Sequence, residues 1–248
     1  MACGDLPTWF LRHRIAVIDL ASPTWQEARR ECGISPGVTQ ANCLRRLVDA
    51  GRLGHLRRGL YVVVDPARET SPLAVADGAF SGTEHYVTTD AALAFHGLID
   101  QPIPVITLAV PRRNLRGMAV GGSTIRPVDM APAAFAAADR YATTTDGFKV
   151  TIATRGQAVL DALAEPQWMT HGSLLPEILA AFGPESVRAL AEAALARSRA
   201  AAQRLGYLLE DAGHEIPEPL ARFVPRSTVE LRPGHRSGIF STRWRVHG

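Results

Sequence analysis

Lysine is almost missing from this chain: Lys149 is the one lysine among 27 basic residues. A high-GC genome accounts for that preference, so arginine abundance alone assigns no function. Cysteine is scarce as well. Cys3, Cys32 and Cys43 form an odd set without CxxC spacing, which argues against a zinc ribbon or a disulfide framework and leads us to expect free thiols. No run approaches the ~18 uncharged apolar residues of a membrane helix. Asp5, Arg12, Arg14 and Asp19 interrupt the first twenty residues, where a signal peptide needs an apolar stretch, so a cytoplasmic protein is expected. HxH, HExxH, EF-hand, Walker, GxGxxG and GxSxG patterns are all missing, and Lys149 lacks the Glu-x-Lys arrangement of metal-dependent nucleases. Asp161 and Glu165 lie four apart on an expected helix, but solvation of a helix surface explains them more simply than a cation does. The expectation is therefore no catalytic residue, no metal and no cofactor.

What the chain does have is bulk. Its 248 residues, 46% hydrophobic and 21% charged, suit one or two ordinary domains with sizeable cores rather than disorder. The net charge is only +3, yet residues 1–60 hold nine arginines against five acids, whereas residues 61–248 hold 18 bases against 19 acids. The positive excess sits in the N-terminal quarter.

Local patterns there are ordered. Ile15 to Leu20 opens an apolar stretch ending at Ser22-Pro23, and Thr24-Trp25-Gln26-Glu27 has the spacing of a capping box, so a helix is expected to begin there. Trp25, Ala28 and Cys32 share one face of it, and Gly33 is placed to end it. A second helix ends at Gly51, because Ala41, Leu44, Leu47 and Val48 recur at helical spacing; its start is either Ser35-Pro36 or Thr39. Arg52 to Val64 then gives two β-prone runs around an Arg-Gly turn, which reads as a hairpin. Helix, turn, amphipathic helix and basic hairpin is the order of a winged helix-turn-helix, assigned to residues 1–66.

The major groove of DNA admits one α-helix, so a reader needs an apolar face and an opposite face of hydrogen-bonding side chains. The helix ending at Gly51 offers Thr39, Gln40, Asn42, Arg45 and Arg46 on that opposite face. The hairpin and its approach add Arg52, His55, Arg57 and Arg58, suited to phosphates or a minor groove. A solvated basic hairpin on a domain with another task is the plain alternative. Trp25 and Tyr61 fall on apolar sides and are assigned to the core rather than to base stacking.

Residues 67–81 read as a linker or short connecting helix, and residues 82–248 as a mixed α/β domain, giving an α+β protein. Thr88-Thr89-Asp90 is expected to cap a helix that Gly97 stops. Val105 to Val110, Ile125 to Val128 and Phe148 to Ala153 read as strands, and helices are expected at 155–164, 173–182, 185–197 and 199–212. Two further basic stretches, Arg112-Arg113-Asn114-Leu115-Arg116 and the C-terminal Arg232, Arg236, Arg243 and Arg245, are weaker candidates for binding a nucleic acid or acidic partner. The second of these runs through one or two expected strands.

Four segments in order resemble the AbiEi family of abortive-infection antitoxins, components of type IV toxin-antitoxin systems. They are Leu44-Arg45-Arg46-Leu47-Val48 through Arg57-Arg58-Gly59-Leu60-Tyr61-Val62-Val63, Tyr86-Val87-Thr88-Thr89-Asp90-Ala91-Ala92-Leu93-Ala94-Phe95-His96-Gly97-Leu98, Arg204-Leu205-Gly206-Tyr207-Leu208-Leu209-Glu210, and Arg243-Trp244-Arg245-Val246. The stretch Ile34 to Val38, with Pro36 and Gly37, departs from the usual approach to a recognition helix. The resemblance implies a repressor that binds repeats in its own promoter and counteracts a nucleotidyltransferase-type toxin. A winged-helix regulator whose C-terminal domain senses a small molecule is the competing expectation.

Overall fold

The computed structural model describes residues 3–67, 70–111, 114–120, 122–234 and 238–248. The chain is α+β and divides into two compact units, one of residues 1–87, 108–129 and 142–152, the other of residues 88–107, 130–141 and 153–248.

The first unit begins with a 3-10 turn, Cys3–Asp5, and runs through α1 (Leu6–Arg12), β1 (Val17–Asp19), α2 (Pro23–Glu31), α3 (Val38–Asp49), β2 (Leu53–Arg57), β3 (Leu60–Val63) and α4 (Pro72–Ala79). Helix α2 starts slightly before the expected capping box. The Ser22 hydroxyl accepts the Trp25 amide at 3.1 Å and Pro23, with no amide hydrogen to satisfy, fills the first helical position. Gly33 (φ 66°) and Gly51 (φ 67°) close α2 and α3 in the same way. The amide of Gly33 donates to Arg30 and that of Ile34 to Arg29, while Gly51 donates to Val48 and Arg52 to Leu47. Helix α3 takes neither expected start: Gly37, at φ 82°, is its N-cap.

Strands β1, β3 and β2 pair in that order as an antiparallel sheet, with His55 opposite Tyr61 and a bulge between His55 and Arg57. Leu6, Trp9, Phe10, Ile18, Trp25, Ala28, Cys32, Ile34, Cys43, Leu44, Leu47, Leu53 and Val63 form one continuous core beneath it. Cys43, rather than the exposed Ala41, completes the buried face of α3. The reason is covalent as well as apolar. Cys43 is bonded to Cys3, 40 residues earlier, with Cα atoms 5.7 Å apart, so the expectation of three free thiols is corrected; only Cys32 is free.

Within residues 67–81, read as a linker or short connecting helix, α4 is the helix, and it buries Ala74, Val75, Ala76 and Ala79. Its Gly78 approaches β1 so closely that a Cβ there would lie 2.9 Å from the Val17 Cβ.

The chain continues with β4 (Tyr86–Thr88), α5 (Thr89–Phe95), β5 (Val105–Val110), β6 (Met118–Val120), β7 (Ser123–Asp129), α6 (Pro132–Ala136), β8 (Arg140–Thr145), β9 (Phe148–Ala153) and α7 (Arg155–Ala164). Its six strands form one sheet, ordered β6-β7-β5-β4-β9-β8. Val87 and Ile152 register a parallel β4–β9 pair; Met118 and Ile125 register an antiparallel β6–β7 pair. The expected strands 105–110 and 148–153 are found with those limits, and 125–128 lies inside β7.

The last third holds α8 (Leu175–Ala180), α9 (Pro184–Arg197), α10 (Arg199–Asp211), α11 (Glu218–Ala221) and a small sheet of β10 (Val229–Glu230), β12 (Val246–His247) and β11 (Phe240–Ser241), in that spatial order. The core of the second unit includes Val159 and Leu163 of α7, Leu190 and Ala194 of α9, and Leu205 and Leu209 of α10. Trp244, 1% exposed, seals it: its ring lies over Gly206 of α10 and its Nε1 donates to Glu210 at 2.8 Å.

Candidate nucleic-acid interface

Helix α3 separates its residues cleanly. At about 100° per residue, Cys43, Leu44 and Leu47 turn inward, while Thr39, Asn42, Arg45, Arg46 and Asp49 are all exposed on the other side. Gln40 is placed differently from expectation. It falls on the side of Leu44 and Leu47 and is half-buried, so it stands outside the exposed stripe.

Arg45 makes an ion pair with Asp49 at 3.8 Å, one turn along the helix, with the Arg45 side chain 82% exposed. Such exposed pairs contribute about 0.5 kcal/mol or less. The guanidinium therefore leaves Asp49 readily for a phosphate, which offers full charge and two acceptor oxygens. Asp49 also limits the face, because a carboxylate at its C-terminal end repels phosphates.

The hairpin follows directly. Arg58 and Gly59 (φ 81°) make its two-residue turn, and the Gly59 carbonyl accepts the Leu20 amide at 2.9 Å, which fastens the turn to the end of β1. Arg58 is exposed at the tip. Arg57, though exposed, lies with its guanidinium carbon 5.7 Å from the centroid of Phe80, at the end of α4. His55 is exposed and packs against Tyr61, ring centroids 5.1 Å apart. Arg52 is half-buried and its Nε has no hydrogen-bond partner among the described residues, which sets it apart from the exposed arginines. Thr39, Asn42, Arg45, Arg46, His55, Arg57 and Arg58 thus share exposure on consecutive elements, whereas Gln40 and Arg52 do not.

Trp25 is 1% exposed and Tyr61 packs partly buried against the same core, in keeping with their assignment. Arg112, Arg113 and Arg236 lie outside the described residues. At the C-terminus Arg243 is held by Glu210 at 2.6 Å and by the Trp244 ring.

The expectation of a solvated Asp161 is corrected. Its carboxylate is fully buried and accepts from the Thr88 hydroxyl at 2.7 Å and the Gln157 amide at 2.8 Å. Asp90 is equally hidden and accepts from the amides of Thr170 and His171 and from the His171 ring. These carboxylates join separate segments of the second unit. No group of three or more metal-ligating side chains occurs among the described residues, and no helix there is long and apolar enough to cross a membrane.

The second unit also holds an open cleft of about 490 Å³ lined by His96, Asp139, Tyr141, Thr154, Arg155 and Phe182 among others. Its walls carry one cation and three aromatic or imidazole rings. Sequence reading did not foresee it.

No known protein-family model matches the chain, and no curated protein sequence does. Among solved structures, the fold is similar to the crystal structure of the Rv2827c protein from Mycobacterium tuberculosis, at 14% sequence identity and a TM-score of 0.64 over 98% of this chain and 90% of that one. That likeness concerns the fold alone.

Proposed function

We propose that this protein is a DNA-binding regulator that reads its own promoter through residues 1–66, a winged helix-turn-helix, and acts as the antitoxin of a nucleotidyltransferase-type toxin. One observation carries the DNA half: α3 presents Thr39, Asn42, Arg45 and Arg46 in one exposed stripe while its opposite face is locked into the core. A buried face fixes the helix rigidly, and a polar, cationic outer face suits base edges and phosphates. The order of helix, helix and basic hairpin supports the same reading, with Arg58 at the tip of the wing. The antitoxin half rests on the resemblance in residues 86–246. No catalytic role is assigned to any residue.

The test is a gel shift with duplex DNA from upstream of the gene, titrated with salt. Arg45→Ala with Arg46→Ala is expected to abolish high-affinity binding and, if both arginines meet phosphates, to flatten the slope of log affinity against log salt by about two. Unchanged affinity refutes α3 as the reading helix. For the antitoxin half, a nucleotidyltransferase-type toxin gene is expected next to this one, and co-expression of the two is expected to relieve the toxin's growth arrest; failure to relieve it refutes that half.

A second reading is favoured by the cleft of about 490 Å³, a size suited to a small molecule. There the second unit senses a ligand that changes operator affinity. A metabolite that raises the melting temperature and shifts the gel-shift midpoint together supports that reading over the antitoxin one.

A further inference from the structure

Among the described side chains in the N-terminal half of α3, few are buried. Its N-cap, Gly37, supplies no side-chain hydrogen bond; Thr39, Ala41 and Asn42 are exposed and Gln40 half-buried, so Cys43 is the first fully buried anchor after them. That anchor is the disulfide to Cys3. Cys3 lies in a three-residue turn, Cys3–Asp5, none of whose residues is fully buried, and Gly4 has nothing within 4 Å of where a Cβ would stand. The bond therefore ties the helix proposed to read DNA to a short turn in which Cys3 is half-buried against the core and Gly4 and Asp5 are exposed. Cys32 shares the same core, 1% exposed, and its burial, reinforced by Asp5 and Glu31, pushes its thiol pKa up. It stays a protonated, hidden thiol and is a poor competitor in exchange.

We infer that the Cys3–Cys43 disulfide is a reversible thiol–disulfide exchange site, and that its oxidised form holds the first turns of α3 in their DNA-contacting shape. The co-reactant is a dithiol. One of its thiolates attacks Sγ of Cys3, the less buried of the two cysteines, to form a mixed disulfide; the Cys43 thiolate leaves and takes up a proton. The second thiol of the reagent then closes on the first, releasing Cys3 as a thiol. Two electrons and two protons pass to the protein, and the reagent ends as a disulfide. With the tie gone, the amides of residues 41–44 open more often and the stripe from Thr39 to Arg46 loses its preorganised form.

The DNA consequence rests on the DNA-binding reading above, so the test separates the two. The full-length protein is poised with oxidised glutathione or with dithiothreitol, beside Cys3→Ser and a Cys32→Ser control. Three measurements follow: alkylated thiols counted by mass in denaturant, amide exchange of residues 41–44, and affinity for a duplex from upstream of the gene. One alkylated thiol in the oxidised wild type and three in the reduced form are expected. Amide exchange should be about tenfold faster in reduced protein and in Cys3→Ser in both buffers, and DNA affinity about five- to tenfold lower. Cys32→Ser should respond as the wild type does. Three alkylated thiols after oxidation, or exchange at 41–44 that ignores redox state, overturns the inference. If those amides respond but no form binds DNA, the exchange site stands and the DNA reading falls.

Discussion

Replacing Gly206 by alanine tests the packing that joins α10 to the C-terminal sheet. A Cβ at that position would lie 2.3, 2.4 and 2.5 Å from three carbons of the Trp244 ring. Carbon atoms pack best at about 3.5–4.0 Å, so the indole has to retreat by more than about 1 Å. It has little freedom to do so: the residue is 1% exposed, Nε1 is held by Glu210 at 2.8 Å, and the Trp244 carbonyl accepts the Gln203 amide at 2.9 Å. Overpacking costs about 1–3 kcal/mol, and losing the indole's bond to a carboxylate costs about 1.5–3 kcal/mol. Alanine's better helix propensity returns about 1 kcal/mol. A net loss of about 2–4 kcal/mol is expected in urea unfolding. Gly156→Ala in the first turn of α7, where nothing lies within 4 Å of the new Cβ, is the control and should be neutral or mildly stabilising. Equal or greater stability of Gly206→Ala would refute the account of Trp244 as a rigid seal.

His85 is buried, a circumstance that opposes its charged form, but the Asp77 carboxylate at 3.2 Å and the Thr83 carbonyl at 2.7 Å outweigh burial and raise its pKa. A raised folded value means that protonation stabilises the fold: the contribution is complete below the usual histidine value and fades as pH rises through the folded one. His85→Gln should therefore cost more stability near pH 5.5 than near pH 9, and a cost that does not vary with pH contradicts this. Asp161→Ala leaves the Thr88 hydroxyl and Gln157 amide without their buried acceptor and should cost about 3–5 kcal/mol in the same unfolding assay; a loss under about 1 kcal/mol argues against a structural carboxylate. Asp49→Asn frees Arg45 and removes a negative charge from the exposed stripe, so the gel shift should show a severalfold gain in affinity at low salt that shrinks as salt rises.

The elements that the sequence revealed are those whose periodicity is strong and whose ends carry punctuation. Gly33, Gly51 and Gly97 each sit at positive φ just past a helix, where a side chain would be strained, and each marks its stop in the bare sequence. The run Val105 to Val110 reads as a strand because it is apolar apart from Thr107, rich in β-branched residues and bounded by prolines. Strand β1 is only three residues long and β6 likewise, too short to show a period. Strand β8, Arg-Tyr-Ala-Thr-Thr-Thr, lies at the edge of the sheet, where polar side chains are tolerated and the apolar alternation fades.

The site divides in the same way. Exposure of Asn42, Arg45 and Arg46 follows from helical spacing once Leu44 and Leu47 are taken as core, but assigning Ala41 to that core rotates the face slightly and turns Gln40 wrongly outward. Cys43 is the better anchor, and the separation of 40 residues from Cys3 is why no spacing rule announced it. The burial of Asp161 has a signal in the sequence. Its neighbours Ala158, Val159, Leu160, Ala162 and Leu163 leave the later turns of α7 apolar around it, and an acid among such residues has to be buried and hydrogen-bonded rather than solvated. The partners it then needs, Thr88 and Gln157, come from the Thr88-Thr89-Asp90 segment and from α7 itself. That segment therefore donates to one buried carboxylate, Asp161, and carries another, Asp90. Asp90 and Asp161 are thus committed to structure, and the polar side chains of the second unit that remain accessible to a ligand include those of the cleft, His96, Tyr141 and Arg155.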